Sequence, residues 1–180
     1  SRRIVGLFEQ AHKGTLYFDE VCDLPLETQG KIVRAVAEQR FRRVGGNKEV
    51  SVDVRVISAS SRDLSAAIAE GRLREDLYYR LGVVPLSMPP LAERREDIPH
   101  LARHFVDLVA RRTGLGKVKL GDKVLSAMQG YRWPGNVRQM LNTIENMLIM
   151  APADRSEPLG LDLLPAEIQN ISPAAGNSDI

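Results

Sequence analysis

The chain has 180 residues, of which 43% are apolar, and this suffices for one medium domain or for a larger fragment with a small second domain. Charged residues make up 27%, but the formal net charge is only +2, which excludes the strongly basic surface of a free-standing nucleic-acid-binding domain. One cysteine, Cys22, excludes an internal disulfide. No secretion signal begins the chain and no apolar run could span a membrane, so we expect a cytoplasmic protein with no membrane partner.

The first half of the sequence alternates β-forming runs with helical patterns. Residues 15–18 (TLYF) predict a buried strand, and a helical pattern begins at Pro25. In that helix the polar residues, Gln29 among them, are expected to face solvent. Residues 50–59 predict a second strand, whose almost continuously apolar end indicates a parallel sheet covered on both faces. Short helical patterns follow, and then a third predicted strand at residues 83–88.

The second half of the sequence is helical throughout. Its helical patterns are separated by turns that contain glycine and proline, and they cover residues 95–112, 122–129 and 136–150. We therefore expect an α/β domain over residues 1–92 and a small helical domain over residues 93–171. The small and polar residues 172–180 predict a flexible tail.

Asp19 and Glu20 follow the first predicted strand directly. The carboxyl end of a parallel strand is where such sheets form their ligand crevice. One of two adjacent carboxylates there can hold Mg²⁺ through water, and the other can orient and deprotonate the water that attacks a γ-phosphate. This is a Walker B arrangement. Strands that end in two acidic residues also occur by chance, so the motif alone leaves a purely structural role open.

Two other sets of reactive side chains have a simpler interpretation. Cys22 has no histidine nearby in the sequence, which favours a small buried side chain over a nucleophile. His100 and His104 are spaced to share one face of a helix, as zinc ligands do. The glutamate that accompanies such a pair in zinc proteases is absent, which favours ordinary helix positions over a metal site.

Five further segments have a characteristic order along the chain. They are residues 6–11 (GLFEQA), 43–46 (RVGG), 74–81 (REDLYYRL), 89–98 (PPLAERREDI) and 133–138 (WPGNVR). Together with the Walker B motif they resemble the central AAA+ ATPase domain of the NtrC-type, sigma-54-dependent transcription activators of bacteria. The resemblance extends over about residues 2–170. It implies an incomplete AAA+ parallel-sheet core, of class α/β, followed by a small α-helical lid domain.

The resemblance also assigns roles around the first two strands. Asp19 is implied as the Mg²⁺ ligand and Glu20 as the catalytic carboxylate. Ser60 and Ser61 lie at the position of sensor I, the group that contacts the γ-phosphate or the attacking water. Family members often have Asn, Thr or His there. A serine hydroxyl reaches less far, so sensing is weaker or is shared between the two serines.

Two arginines resemble the arginine fingers, which act on the ATP bound by a neighbouring subunit. They are Arg74 and Arg80, and a planar, permanently charged group suits the developing phosphoryl charge. On an unbroken helix, six residues correspond to a rotation of about 240°, so both could not point the same way unless the helix ended between them. A local ion pair with Glu75 or Asp76 is the alternative for Arg74.

The segment at residues 133–138 resembles sensor II of the lid. It implies that Arg138 contacts the nucleotide from the first turn of a helix. Asn136 is expected to cap that helix, and Trp133 is expected to be a packing anchor because a buried indole contributes much apolar area.

The phosphate-binding Walker A loop, Gly-x-x-x-x-Gly-Lys-Ser/Thr, does not occur in these residues. In the family, the strand before that loop lies between the sensor I strand and the strand after the arginine fingers. We therefore expect the segment alone to be inactive, with two apolar strand edges that swap, rearrange or pair differently from those of the intact domain.

Two functions remain open at this point. In the first, the parent protein is a two-component response regulator that hydrolyses ATP as a ring, expected to be a hexamer, and acts on sigma-54 RNA polymerase. It would bind DNA through a separate domain. In the second, the chain serves nucleotide sensing or oligomerisation in an NtrX-like regulator that does not remodel sigma-54 polymerase. The Gly-Ala-Phe-Thr-Gly-Ala loop, which engages sigma-54 in the first group, is absent from these residues.

Overall fold

A computed structural model describes residues 6–42, 49–152 and 157–170. The chain divides into two compact units, Ser1–Leu86 and Ser87–Ile180. The sequence predicts this boundary slightly later, after residue 92. The segment 43–46 and the predicted tail at residues 172–180 lie outside the described residues.

The first unit combines short strands with helices. Its elements are α1 (Leu7–Gln10), β1 (Thr15–Phe18), α2 (Leu26–Glu38), β2 (Arg40–Arg42), β3 (Glu49–Ser51), β4 (Arg55–Ser58), α3 (Leu64–Ala69) and α4 (Glu75–Leu81), with a 3-10 turn at Val21–Asp23. Strands β2 and β3 pair antiparallel. A core formed by the 3-10 turn, α2, α3 and α4 includes Cys22, Ile32, Ala67 and Leu77.

Strands β1 and β4 pair in parallel, with Leu16 opposite Val56 and Tyr17 opposite Ile57. Burial alternates along both strands. Phe18 packs against the core, whereas Tyr17 and Ile57 are 56% and 46% exposed. The prediction of a sheet covered on both faces was therefore wrong for the described residues. One face of the pair packs against helices and the other is open, as the alternation of side chains along a strand allows.

The third predicted strand does not form. Residues 83–88 follow α4 without regular secondary structure, and Val83, Val84, Leu86 and Met88 are between 74% and 86% exposed. A β-forming sequence becomes a strand only when a neighbour satisfies its backbone groups, and no other described segment pairs with these residues. Within the described residues β4 pairs only with β1.

Gln39 joins the end of α2 to the strands that follow. It has a left-handed backbone with φ of 51°, and its N–H donates to the Ala35 carbonyl. Its own carbonyl accepts from the Val52 N–H at 2.8 Å. Its side-chain amide accepts from the Val54 N–H at 3.1 Å and donates to the Val54 carbonyl at 3.3 Å. This amide thus takes the place of a pairing strand at Val54.

The second unit is a helical domain. It contains α5 (Ile98–Arg112), α6 (Asp122–Gly130), α7 (Asn136–Met150) and α8 (Ala166–Gln169), with 3-10 turns at Leu91–Glu93, Arg95–Asp97 and Leu161–Leu163. Helix α5 packs against both α6 and α7. Over the part of the chain that the structure describes, no helix has the length and apolarity required to cross a membrane.

Trp133 lies in the core of this helical unit and is 1% exposed. Its indole N–H donates to the Met128 carbonyl at 2.7 Å, and its ring meets that of Tyr131 edge-on with centroids 5.2 Å apart. The side chain therefore combines a large buried apolar area with a satisfied polar group, as expected of a packing anchor.

We predict that Trp133→Ala destabilises the helical unit by about 3–5 kcal/mol, because it removes the largest side chain of the core and leaves a cavity. Ile149→Ala is the control, since Ile149 is 76% exposed and such a change stays within about 0.5 kcal/mol. Chemical denaturation followed by circular dichroism measures both. Equal stability of the two variants would contradict the role of Trp133.

Candidate functional site

Glu20 occupies a sharp corner at the end of β1. Its backbone is left-handed, with φ 48° and ψ 56°, which is uncommon for a residue other than glycine, asparagine or aspartate. The corner is held by its neighbour strand, because the Ala59 N–H donates to the Phe18 carbonyl at 2.8 Å and the Val21 N–H donates to the Ala59 carbonyl at 3.1 Å. Asp19 and Glu20 lie between these two bonds.

The Glu20 carboxylate contacts Ser61, which lies three residues after the end of β4. Its Oε2 accepts from the Ser61 backbone N–H at 3.0 Å. This bond, followed by one with the Ser61 side chain, lowers the pKa of Glu20 below its ordinary value. Hydrogen bonds to the charged form favour ionisation. Glu20 is therefore held as a carboxylate and is oriented beside Ser61.

Asp19 directly follows β1, is exposed and is hydrogen-bonded to Tyr17. The Tyr17 hydroxyl donates to Asp19 Oδ1 at 3.3 Å. The pKa of Tyr17 is raised, first by partial removal from water and then by the charge of Asp19. No group of three His, Cys, Asp or Glu side chains suited to a metal ion exists among the described residues. One exposed carboxylate fits a Mg²⁺ ion whose other ligands are waters and phosphate oxygens, which is how this ion is usually held.

The two serines expected at sensor I have different surroundings. Ser60 is half-buried, and its hydroxyl donates to Cys22 Sγ at 3.4 Å and accepts from the Arg62 N–H at 3.1 Å. Ser61 is exposed and contacts Glu20. Between them, Ser61 is thus the residue that adjoins the candidate catalytic carboxylate. Cys22 is buried, and its predicted role as a small packed side chain is confirmed.

Asp23 and Arg62 were missed by sequence reasoning. The Arg62 guanidinium donates twice to Asp23 Oδ1, at 3.1 and 2.8 Å, across 39 residues of sequence. Both charges act on Glu20, the Asp23 carboxylate raising its pKa and the Arg62 guanidinium lowering it. No local pattern joins two such distant residues. Only the parallel pairing of β1 with β4 brings them together.

Arg74 precedes α4 and is not part of it. Its backbone is extended, with φ −70° and ψ 132°, so the rotation expected for an unbroken helix does not relate it to Arg80. Its guanidinium donates to both carboxylate oxygens of Asp76, at 3.0 and 2.8 Å. This pair lowers the pKa of Asp76. The local ion pair considered from the sequence therefore forms, with Asp76 as the partner.

Arg80 lies in the last turn of α4 and is exposed. Within the described part of the chain it makes no ion pair. Its guanidinium is accordingly open to an external anion, whereas that of Arg74 must first leave Asp76.

The backbone of Arg74 is held by a residue that was predicted to face solvent. Gln29 on α2 is fully buried, and its side-chain Oε1 accepts from the Arg74 N–H at 2.9 Å. The prediction from helical periodicity was wrong here, because a glutamine can be buried when all of its hydrogen-bonding groups have partners.

The lid residues lie in the second unit. Arg138 is exposed in the first turn of α7. Among the described residues its guanidinium makes no hydrogen bond or ion pair. The prediction that Asn136 caps this helix was wrong. Gly135 occupies the capping position, while Asn136 has φ 49° and its side-chain oxygen accepts from the Leu91 N–H at 2.8 Å. Asn136 therefore fixes the chain that enters the lid.

His100 and His104 are both exposed on α5. The ring of His104 lies edge-on to that of Phe105, with centroids 5.6 Å apart. No further ligand adjoins them to complete a metal site within the described residues.

These features define a class of protein. A parallel strand that ends in two adjacent carboxylates, a neighbouring strand that ends beside them, arginines at both ends of a short helix and a separate helical unit are the parts of an AAA+ ATPase domain. Comparison with known proteins narrows the class. Residues 1–87 match the Sigma-54 interaction domain, and residues 92–179 match the AAA+ ATPase lid domain. The chain belongs to the NtrC-type sigma-54 activator family and corresponds to the C-terminal portion of its AAA+ domain.

Individual relatives agree with this assignment. The nitrogen assimilation regulatory protein NtrX of Azorhizobium caulinodans is 47% identical over 97% of this chain and 38% of the relative. The DNA-binding transcriptional regulator NtrC of Azospirillum brasilense is 42% identical over 97% of this chain and 36% of the relative. The chain also matches the crystal structure of NtrX from Brucella abortus in complex with ATP, with a TM-score of 0.85 and 47% sequence identity. The match covers 97% of this chain and 40% of the NtrX chain. The chain thus spans less than half the length of each.

We predict that Ser61→Ala raises the pKa of Glu20 towards its ordinary value, because it removes the side-chain hydrogen bond that favours the carboxylate. Carboxyl-carbon NMR titration measures this shift. A lowered pKa stabilises the fold above the unfolded-state pKa of the group, and this contribution is lost as the pH falls through the folded-state pKa. Part of this acid-sensitive contribution should therefore disappear in the variant.

The internal control for this titration is Glu27, whose pKa is lowered by Lys31 rather than by Ser61. Its midpoint should be unchanged in the variant. An unchanged midpoint for Glu20 would contradict a contribution from the Ser61 side chain and would leave the backbone N–H, which the variant keeps, as the cause.

Proposed function

We propose that the parent protein of this chain hydrolyses ATP as a ring oligomer, expected to be a hexamer, and thereby regulates transcription by sigma-54 RNA polymerase. Glu20 carries the proposal. It is an ionised carboxylate held at the joint ends of two parallel strands, next to Asp19 and Ser61. This position is suited to orienting a water against a γ-phosphate and to accepting its proton.

Asp19 is the proposed ligand of Mg²⁺, acting through water. Bound there, the ion would neutralise charge on the phosphate oxygens. Ser60 and Ser61 form the sensor I region, and Ser61 is the nearer to Glu20. Arg138 contributes positive charge to the nucleotide from the lid.

Arg74 and Arg80 are proposed to act on the ATP of the neighbouring subunit. Arg80 has no competing ion pair in the described residues. The pair between Arg74 and Asp76 is about half exposed, with side-chain exposures of 45% and 47%. Exposed pairs stabilise by only about 0–1 kcal/mol, so exchanging Asp76 for a phosphate costs little. Arg74 can thus change partners when a subunit interface brings a nucleotide within reach.

We expect Glu20→Gln in the full-length protein to lower ATP turnover by about 10²–10⁴-fold, because the amide keeps the shape of the side chain but cannot accept the proton. Nucleotide affinity should be retained, since the substitution leaves Asp19 and the arginines unchanged. Steady-state phosphate release and equilibrium binding of a nucleotide analogue measure the two quantities. Turnover equal to wild type would refute the assignment.

A second function is supported by the similarity to NtrX. In it, the domain binds a nucleotide and assembles but does not remodel sigma-54 polymerase, and DNA is bound by another domain. In vitro transcription from a sigma-54-dependent promoter separates the two. The first proposal expects ATP-dependent transcripts that Glu20→Gln abolishes. Nucleotide-dependent assembly without any transcript would favour the second.

A further inference from the structure

Gln29 is a polar residue on the buried face of α2, where the other buried side chains are Ile32 and Ala35. It is one of the two buried polar or charged side chains among the described residues and is 0% exposed, whereas the neighbouring Lys31 and Glu27 are ion-paired at the surface. A buried amide is costly unless its donors and its acceptor all have partners. Its presence in the core therefore calls for a structural or functional reason.

The hydrogen bonds of this amide link α2 to the segment that leads into α4. Its Nε2 donates to the Leu24 carbonyl and to the Arg72 carbonyl, both at 2.8 Å. Its Oε1 accepts from the Arg74 N–H at 2.9 Å. Both amide hydrogens are used, and a flipped amide would oppose two carbonyls with an oxygen. Only one orientation of the side chain is compatible with these partners.

These contacts determine where α4 begins. They hold the backbone on both sides of Leu73, which is 4% exposed, and α4 starts immediately after Arg74. The guanidinium of Arg74 also lies against α2, since a Cβ added at Gly30 would be 3.9 Å from its Cζ. The main chain of Arg74 is thus fixed by Gln29, while its side chain lies against α2 and makes an exposed and exchangeable ion pair with Asp76.

We propose that Gln29 is a positioning residue for Arg74, which it presents to the nucleotide of the neighbouring subunit by fixing the backbone from which the arginine extends. This inference rests on the proposed function, because it requires that Arg74 acts across a subunit interface. Displacement of a catalytic group by about 1 Å can cost about 10²-fold in rate, so a backbone hydrogen bond can control the activity of a side chain.

The test uses the full-length protein with Gln29→Met, which keeps the volume but removes all three hydrogen bonds. Gln29→Glu is the second variant, because it keeps an acceptor for the Arg74 N–H but loses both donors. The matched control is Gln39→Met, since the Gln39 amide also bonds to a backbone segment of the same unit, at Val54, and not to α4 or Arg74. All three are checked for folding by circular dichroism and for nucleotide affinity.

We expect Gln29→Met to lower kcat for ATP by at least about tenfold with unchanged nucleotide affinity, while Gln39→Met stays within about twofold of wild type. Gln29→Glu should lose at least as much activity, because its second carboxylate oxygen faces the Leu24 and Arg72 carbonyls to which the amide donates. Equal losses in Gln29→Met and Gln39→Met would overturn the proposal, because they indicate a general effect on the fold. Unfolding of both Gln29 variants would also overturn it.

Mixing of subunits shows on which side of the interface the defect lies. Gln29→Met mixed in equal amounts with Glu20→Gln should recover activity, to about a quarter of wild type, because random assembly joins an intact site to an intact Arg74 at that fraction of interfaces. Gln29→Met mixed with Arg74→Ala should not recover, since neither subunit presents a well-placed arginine. The opposite pattern would assign the defect to the subunit's own site and overturn the proposal.

A third mixture keeps this inference separate from the proposed function. Glu20→Gln mixed with Arg74→Ala should recover activity if Arg74 acts in trans. If it does not, the role of Arg74 across the interface is refuted, and the role of Gln29 fails with it. If it does recover while Gln29→Met behaves as Gln39→Met does, only the inference about Gln29 is refuted.

Discussion

The parallel pairing of β1 with β4 is the constraint on which the candidate site depends. Both strands run in the same direction, so their carboxyl ends meet, and Ala59 bonds to the chain on either side of Asp19 and Glu20. A slip of one residue would exchange the open and packed faces of one strand relative to the other and would separate Glu20 from Ser61. The ion pair between Asp23 and Arg62, 39 residues apart in sequence, is a second consequence of the same register.

Backbone hydrogen bonds, more than ion pairs, hold the site in place. The Ser61 N–H orients Glu20, and the side chain of Gln29 fixes the N–H of Arg74. The ion pairs nearby are partly exposed, and such pairs contribute only about 0–1 kcal/mol each. The chemistry of the proposed function requires this division, because a charge that must contact a phosphate has to be placed firmly by its backbone and bound weakly by its present partner.

Local patterns allowed part of this arrangement to be predicted. The strand at residues 15–18, the helical second unit and the packing role of Trp133 followed from periodicity and from side-chain size. The errors arose where long-range partners decide. Residues 83–88 have strand-forming side chains but no described neighbour, and two of the three hydrogen-bond partners of Gln29 lie in one distant segment, at Arg72 and Arg74. Asn136 stands at a helix start, yet it bonds to Leu91, 45 residues away. Sequence spacing carries no information about such partners.

The backbone of Glu20 shows how the fold sustains an unfavourable local conformation. A left-handed residue with a side chain costs on the order of 1–3 kcal/mol, and glycine would avoid that cost. Glycine would also remove the carboxylate. The surrounding contacts offset the strain, since the bonds of Ala59 fix the corner and the Ser61 N–H stabilises the charged side chain that the corner directs towards it. A strained residue that is secured from both its backbone and its side chain is typical of a functional position. Asp19, one residue earlier, keeps an exposed carboxylate, so the same corner separates the proposed cation ligand from the carboxylate proposed to act on water.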